Sequence, residues 1–212
     1  MIPAPEATPI VFIVDDDESV RDALASLIRS AGLRVERFAS AQAFLAYPPV
    51  GVPSCLLLDV RLPGGTGLDL QRRLAERNTD IPIVFITGHG DVRTSVAAMK
   101  AGAIEFLLKP LADGEVLDAI GRAIDRRRAA LERQGEIAEL KSRFGSLTPR
   151  EREVIGRVVA GLPNKQIAAE LGTCEGTIKV HRGQVMRKMG ATSLADLVRQ
   201  AEKLGLRREG GP

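Results

Sequence analysis

At 212 residues the chain is too long for one small domain and suits two of ordinary size, each able to bury a core, since domains commonly run to about 100–150 residues. A composition of 44% hydrophobic and 27% charged residues excludes a fully disordered chain, and two distant cysteines, Cys55 and Cys174, exclude a disulfide scaffold or a multi-cysteine zinc cluster and suit a reducing compartment. The net charge of +3 alone implies no nucleic acid, and 3% aromatic residues without a tryptophan disfavour a row of stacking rings. Neither a bilayer-spanning apolar run nor an export signal over Met1–Pro9 is present, so a cytoplasmic location with no membrane partner is expected.

Residues 1–9 read as a disordered N-terminus. Residues 1–125 carry a net charge of −5 and the remainder +8; an acidic half suits cations, and a basic remainder suits a phosphate backbone. Apolar runs of strand length recur at Ile10–Val14, Leu33–Phe38, Cys55–Leu58, Ile83–Ile86 and Ile104–Leu108. Helical spacing fills the gaps, as in Val20, Leu24, Leu27 and Ile28, then Leu68, Leu70 and Leu74, then Val92, Val96 and Met99. Five strands alternating with helices predict a doubly wound parallel sheet with helices on both faces. Its ligand site is expected off the carboxyl ends of the strands.

Those ends are polar: Asp15, Asp16, Asp17 and Glu18 follow the first strand, Asp59 ends the third, Thr87 the fourth and Lys109 the fifth. Acidic residues after one strand commonly cap the next helix, so the specific signal is the combination at successive strand ends. Bringing Asp15, Asp16 and Asp59 within about 5 Å costs roughly 3 kcal/mol per like-charged pair at an effective dielectric near 20, which calls for a cation. Mg²⁺ fits best, because it takes carboxylate and water oxygens and leaves a position for a phosphoryl oxygen. Lys109 supplies a second positive charge, Thr87 a hydroxyl for a phosphoryl oxygen, and an Asp in this setting can act as nucleophile and form an acyl phosphate.

Residues 10–125, with VDDDESVR, LLLDVRLPGGTGLDL, FITGHGD and FLLKP, resemble the flavodoxin-like receiver domain of two-component response regulators. The resemblance implies that Asp59 is the phosphoacceptor and that Asp15, Asp16 and Asp59 hold Mg²⁺ with the backbone carbonyl of Arg61. It implies that Thr87 and Lys109 contact the phosphoryl group, that the Lys109–Pro110 peptide is cis, and that Phe106 is the switching aromatic, although a Phe on a strand is by default core. In the family, phosphorylation reshapes the face here at about Asp91–Ala101 and Ile104–Leu108, which pairs two receivers. A phosphatase with an Asp nucleophile on a similar sheet usually places a second Asp two residues on as general acid, and that position is Arg61. No enzyme is therefore expected beyond Mg²⁺-dependent self-phosphorylation and slow dephosphorylation of Asp59.

Residues 126–145 read as a helical linker, part of a long helix over Glu115–Arg143 that is broken or softened at Gly135. The run Arg126, Arg127 and Arg128 is either a solvated helix face or a DNA contact. Residues 146–206 then read as a small all-α module. Thr148 is the N-cap of a first helix with Pro149 in its first turn and Glu151 as the capping-box acid, ending near Ala160 at Gly161. Asn164 caps a short helix, Lys165–Leu171, and a longer one runs from Glu175 to Met189. The last spans Leu194–Leu204, and residues 207–212 read as a flexible C-terminus. Two helices joined by a short turn, the second carrying Lys179, His181, Arg182, Gln184, Arg187 and Lys188, predict a helix-turn-helix. Val154, Ile155, Val158, Val159, Ile167, Leu171, Ile178, Val185, Met186, Leu194 and Leu197 are its expected core.

LTPREREVIGRVVAGLPNKQIAAELGTCEGTIKVHRGQVMRKMGATSLADLV resembles the DNA-binding domain of the LuxR/NarL/FixJ class, and the whole chain is most similar to FixJ-type regulators. That resemblance implies that Lys179, Val180 and Gly183 face base edges, that Thr177, Arg182, Asn164 and Lys165 lie near phosphates, and that Leu197, Val198, Ala201 and Leu204 pair two DNA-bound copies. Two positions depart from the family: Cys174 stands where a Ser usually caps the recognition helix, so that Thr173 is a substitute cap, and Gly183 replaces a base-reading side chain. The expected function is a phosphorylation-switched, dimeric transcriptional regulator, an activator by family habit. Its expected partners are a cognate sensor histidine kinase, double-stranded promoter DNA and RNA polymerase. The alternative is a phosphorylation-independent DNA-binding or interaction module whose receiver merely docks.

Overall fold

The computed structural model describes residues 8–88 and 92–206, without the side chains of Val92 and Thr94. Residues 1–7 and 207–212, and His89 and Asp91 of the fourth motif, lie outside the described residues. Pro9 is already tied into the fold, its carbonyl accepting from the Arg34 N–H at 3.2 Å, so the expected disordered N-terminus does not reach residue 9. The chain separates into two compact units, Met1–Glu132 and Arg133–Pro212.

In the first unit, β1 (Ile10–Val14), β2 (Arg34–Phe38), β3 (Ser54–Asp59), β4 (Ile83–Thr87) and β5 (Glu105–Leu108) form one sheet in the order β2-β1-β3-β4-β5, every neighbouring pair parallel. β1, β3 and β4 are buried along their whole length, as parallel strands covered on both faces must be. Alternate residues go to opposite faces. Val11, Ile13, Leu57 and Val84 pack on Leu24 and Ile28 of α1 (Glu18–Ser30) and on Val116, Ile120 and Ile124 of α5 (Asp113–Gly145). Phe12, Leu56, Leu58 and Phe85 pack with Phe44 of α2 (Ala41–Leu45), Leu70 and Leu74 of α3 (Gly67–Glu76) and Ala98 of α4 (Val92–Lys100).

The register places Val14 opposite Leu58, Asp59 opposite Ile86 and Thr87 opposite Leu108. Asp15, Asp59, Thr87 and Lys109 therefore emerge on one edge, where the strand order reverses between β1 and β3. The sequence reading includes neither the five-residue α2 nor the short antiparallel pair Arg61–Leu62 and Gly65–Thr66, both too brief to show a period.

Of the two outcomes expected at Gly135, a break or a softening, the break does not occur: α5 runs without interruption from Asp113 to Gly145. One glycine costs a helix about 1 kcal/mol, which flanking helix formers such as Ala, Leu, Glu and Arg absorb. The second unit holds α6 (Pro149–Val159), α7 (Asn164–Glu170), α8 (Glu175–Met189) and α9 (Leu194–Lys203). Its core gathers Val154, Ile155, Val158, Val159, Ile167, Ile178, Val185 and Leu197 as expected, together with Leu140, Leu147, Met189 and Ala201. Leu194, expected in this core, is 45% exposed because it opens α9 ahead of the inward-facing positions Leu197 and Ala201.

Candidate functional site

The acidic run after β1 divides its labour. Asp17 is the N-cap of α1, accepting from the Ser19 and Val20 N–H groups, and the Ser19 side chain in turn holds the Asp17 carboxyl below the usual range. Asp15 is buried and Asp16 exposed, and each offers a carboxylate oxygen to a cluster with Asp59 in which the three oxygens lie within 4.8 Å of one another. Backbone geometry fixes both buried acids: the Asp17 N–H donates to Asp15 Oδ1 at 2.9 Å, and the Arg61 N–H to Asp59 Oδ1 at 2.8 Å. The Arg21 guanidinium donates to the Asp15 carbonyl at 2.6 Å.

Lys109 enters from the end of β5, and its Nζ donates to Asp15 Oδ2 and Asp59 Oδ2, each at 2.8 Å. Burial pushes the Asp15 carboxyl up, and the Lys109 hydrogen bond only partly offsets it. Burial also works against the Lys109 ammonium, but its hydrogen bonds to Asp15 and Asp59 outweigh that and raise it. Three carboxylates and one ammonium leave a formal charge of −2 at the cluster. An all-oxygen donor set with that charge suits a hard divalent cation, so the residues present fit Mg²⁺.

Thr87 is buried on the same edge, and the Lys109–Pro110 peptide is cis, as expected. Phe106 is half-buried against Phe85, ring centroids 6.3 Å apart, and packs on the core. Sequence reasoning missed Gly67. Its N–H donates to the Val60 carbonyl at 2.9 Å, and a Cβ there would collide with the backbone carbonyl of Asp59 and press on Phe85 and Leu58. The signal was present as the last glycine of LPGGTGLDL, read only as part of a motif.

In the second unit the Thr148–Glu151 capping box forms as expected, with Pro149 in the first turn. On α8, Ile178, Val185 and Met189 face the core, which turns Lys179, Val180, Gly183 and Arg187 outward. Val180 is 62% exposed, an apolar side chain held in water on the face expected to read bases. Thr177 and Lys165 are exposed as well.

Asn164 does not cap α7: it is the first helical residue, behind Pro163, and its Oδ1 accepts from Arg182 Nη1 at 2.6 Å. Cys174 is the N-cap of α8 with no side-chain capping bond, so Thr173 does not take over the cap; Cys174 Sγ lies 3.2 Å from Thr177 Oγ1, a contact that lowers the thiol's pKa.

Lys188, counted among the basic residues of α8, instead pairs with the buried Glu151 at 2.6 Å. Arg143, at the end of α5, donates to the Met189 carbonyl at 3.0 Å and lies over Gly190, whose φ of 68° closes α8. Neither contact has a short-range signal in the sequence. Of the α9 residues expected to pair two DNA-bound copies, Leu197 and Ala201 are buried in the core of their own unit, and Val198 and Leu204 are half-buried against it.

Family models match both units: residues 11–121 match the response regulator receiver domain, and residues 145–201 match the bacterial regulatory proteins of the luxR family. Nodulation protein W of Bradyrhizobium diazoefficiens is 54% identical over 197 residues, covering 93% of this chain and 87% of that protein. Among solved structures, a low-resolution structure of the response regulator StyR is 48% identical with a TM-score of 0.84, covering 93% of this chain and 100% of that one. Full-length FixJ from B. japonicum is 42% identical with a TM-score of 0.56, covering 93% of this chain and 98% of that one.

Proposed function

The chain belongs to the two-component response regulators, with a receiver domain followed by a LuxR-type DNA-binding domain, and on that premise we propose how its own residues carry the signal. Asp59 is the phosphoacceptor. The observation that carries this reading is the Lys109 ammonium bridging Asp15 and Asp59 at 2.8 Å each, on the strand edge that also presents Thr87. An Asp59 carboxylate oxygen attacks the phosphorus of the sensor kinase's phosphohistidine; the P–N bond breaks, its electron pair returns to the imidazole, and an acyl phosphate forms. Asp15, Asp16, Asp59 and the Arg61 carbonyl hold Mg²⁺, which when bound neutralises phosphoryl oxygens. Lys109 then exchanges a carboxylate partner for a phosphoryl oxygen, and Thr87 donates its hydroxyl to another.

A phosphoryl group adds nearly two negative charges and three acceptor oxygens. Drawing Thr87 inward lets the half-buried Phe106 follow, and the surface of α4 and β5 changes shape. That surface exposes Val96, Met99 and Leu108 by 45%, 44% and 56%, an apolar set suited to pairing two phosphorylated receivers. The dimer binds promoter DNA through α8, with Lys179, Val180 and Gly183 at base edges and Thr177, Arg182, Asn164 and Lys165 at phosphates. It activates transcription by engaging RNA polymerase beside the site. Among the described residues no helix is long and apolar enough to cross a membrane.

Incubation with acetyl phosphate and Mg²⁺ tests the chemical step. The expected result is one phosphoryl group on the wild type and none on Asp59→Asn. An unlabelled wild type would overturn the reading in favour of a receiver that only docks.

A further inference from the structure

Arg127, in the arginine run of α5, fits neither a DNA contact nor a solvated face. Its side chain is only 14% exposed; Nη1 donates to Asp80 Oδ2 at 3.2 Å, and its Nε–H is buried without an acceptor among the described residues. A buried donor left unmet costs about 1–3 kcal/mol, and more when charged. Arg127 lines a cavity of about 360 Å³ at the amino end of β3, beside Ser54 and so at the opposite end of that strand from Asp59. The volume falls in the range of roughly 300–1,000 Å³ typical of small-molecule sites.

The wall is apolar and aromatic, with Phe12, Phe44 and Tyr47 edge-to-face at 5.4 Å and 5.5 Å, closed by Leu74 and Ile81. The charged lining is Arg77 and Arg127 against the single carboxylate of Asp80, a formal excess of one positive charge. Asp80 is 56% exposed, so it can return to water when another anion takes Arg127. We propose that this cavity is a binding site for a small monocarboxylic acid with an apolar body. The body lies against the rings, and the carboxylate takes the Nε and Nη hydrogens of Arg127 as a bidentate pair.

Titrating the ¹⁵N-labelled full-length protein with benzoate, hexanoate and benzyl alcohol tests this. Either acid should shift the amides of Tyr47, Ser54, Thr79 and Arg127 saturably and bind at least about tenfold more tightly than the neutral alcohol. Arg127→Met should erase that preference, and Val50→Trp, at the lining, should block both acid and alcohol. Labelling of both variants by acetyl phosphate shows that they are folded. Absence of saturable shifts in the wild type, equal affinity for acid and alcohol, or an acid preference that survives Arg127→Met would overturn the proposal.

Discussion

Single side chains at this chain's sites have their roles set by which backbone groups hold them. Of the four acidic residues after β1, Asp17 is consumed by the α1 cap, while Asp15 is fixed by the Asp17 N–H and aimed at Lys109. Gly67 is held equally tightly, between the Asp59 carbonyl and the Phe85 ring. Gly67→Ala is expected to slow labelling of Asp59 by acetyl phosphate and to lower stability by about 1–3 kcal/mol through overpacking; urea denaturation together with the labelling rate checks both. Glu151 contributes to the pH dependence of the second unit. The hydrogen bond from Lys188, with that from the Thr148 N–H, holds its carboxyl below the ordinary range. A depressed folded pKa means that the stabilisation is complete above the unfolded value of about 4.3 and is lost as pH falls through the folded value. Wild type should therefore be more stable than Glu151→Gln at pH 6, with the gap closing below about pH 4, read from urea midpoints.

Elements were legible wherever a period or a cap was long enough to register. The strands of the sheet are within a residue of their apolar runs, and α8 spans the expected Glu175–Met189. The five-residue α2 and the two-residue strands had no period to show, and α5 continued through Gly135 because one weak residue does not outweigh its neighbours. Contacts between distant segments were the least legible: Asn164 with Arg182, Lys188 with Glu151 and Arg143 with Met189 are set by packing alone. Cys174 illustrates the opposite case, a local departure read from sequence and found as an N-cap without a side-chain acceptor. Cys174→Ser should supply that oxygen and raise stability by about 1 kcal/mol, seen as a higher thermal midpoint.

Over the whole molecule, the small net charge of +3 conceals two opposed parts, −5 over residues 1–125 and +8 beyond. The acidic part contains a carboxylate cluster suited to a divalent cation, and the basic part presents Lys165, Lys179 and Arg187 at an exposed surface. The order of motifs along the chain was enough to anticipate this division, and the boundary between the two compact units, after Glu132, falls inside α5 and within the stretch 126–145 read as a helical linker. Binding through phosphates predicts that DNA affinity falls steeply with salt. The central claim is that a phosphoryl group on Asp59 controls that affinity. The most direct measurement is a titration of a genomic DNA fragment, selected by the phosphorylated protein, with wild type and Asp59→Asn, each with and without acetyl phosphate. The account predicts roughly five- to hundredfold tighter binding by treated than by untreated wild type, and no response in Asp59→Asn. Equal affinity of treated and untreated wild type would contradict it.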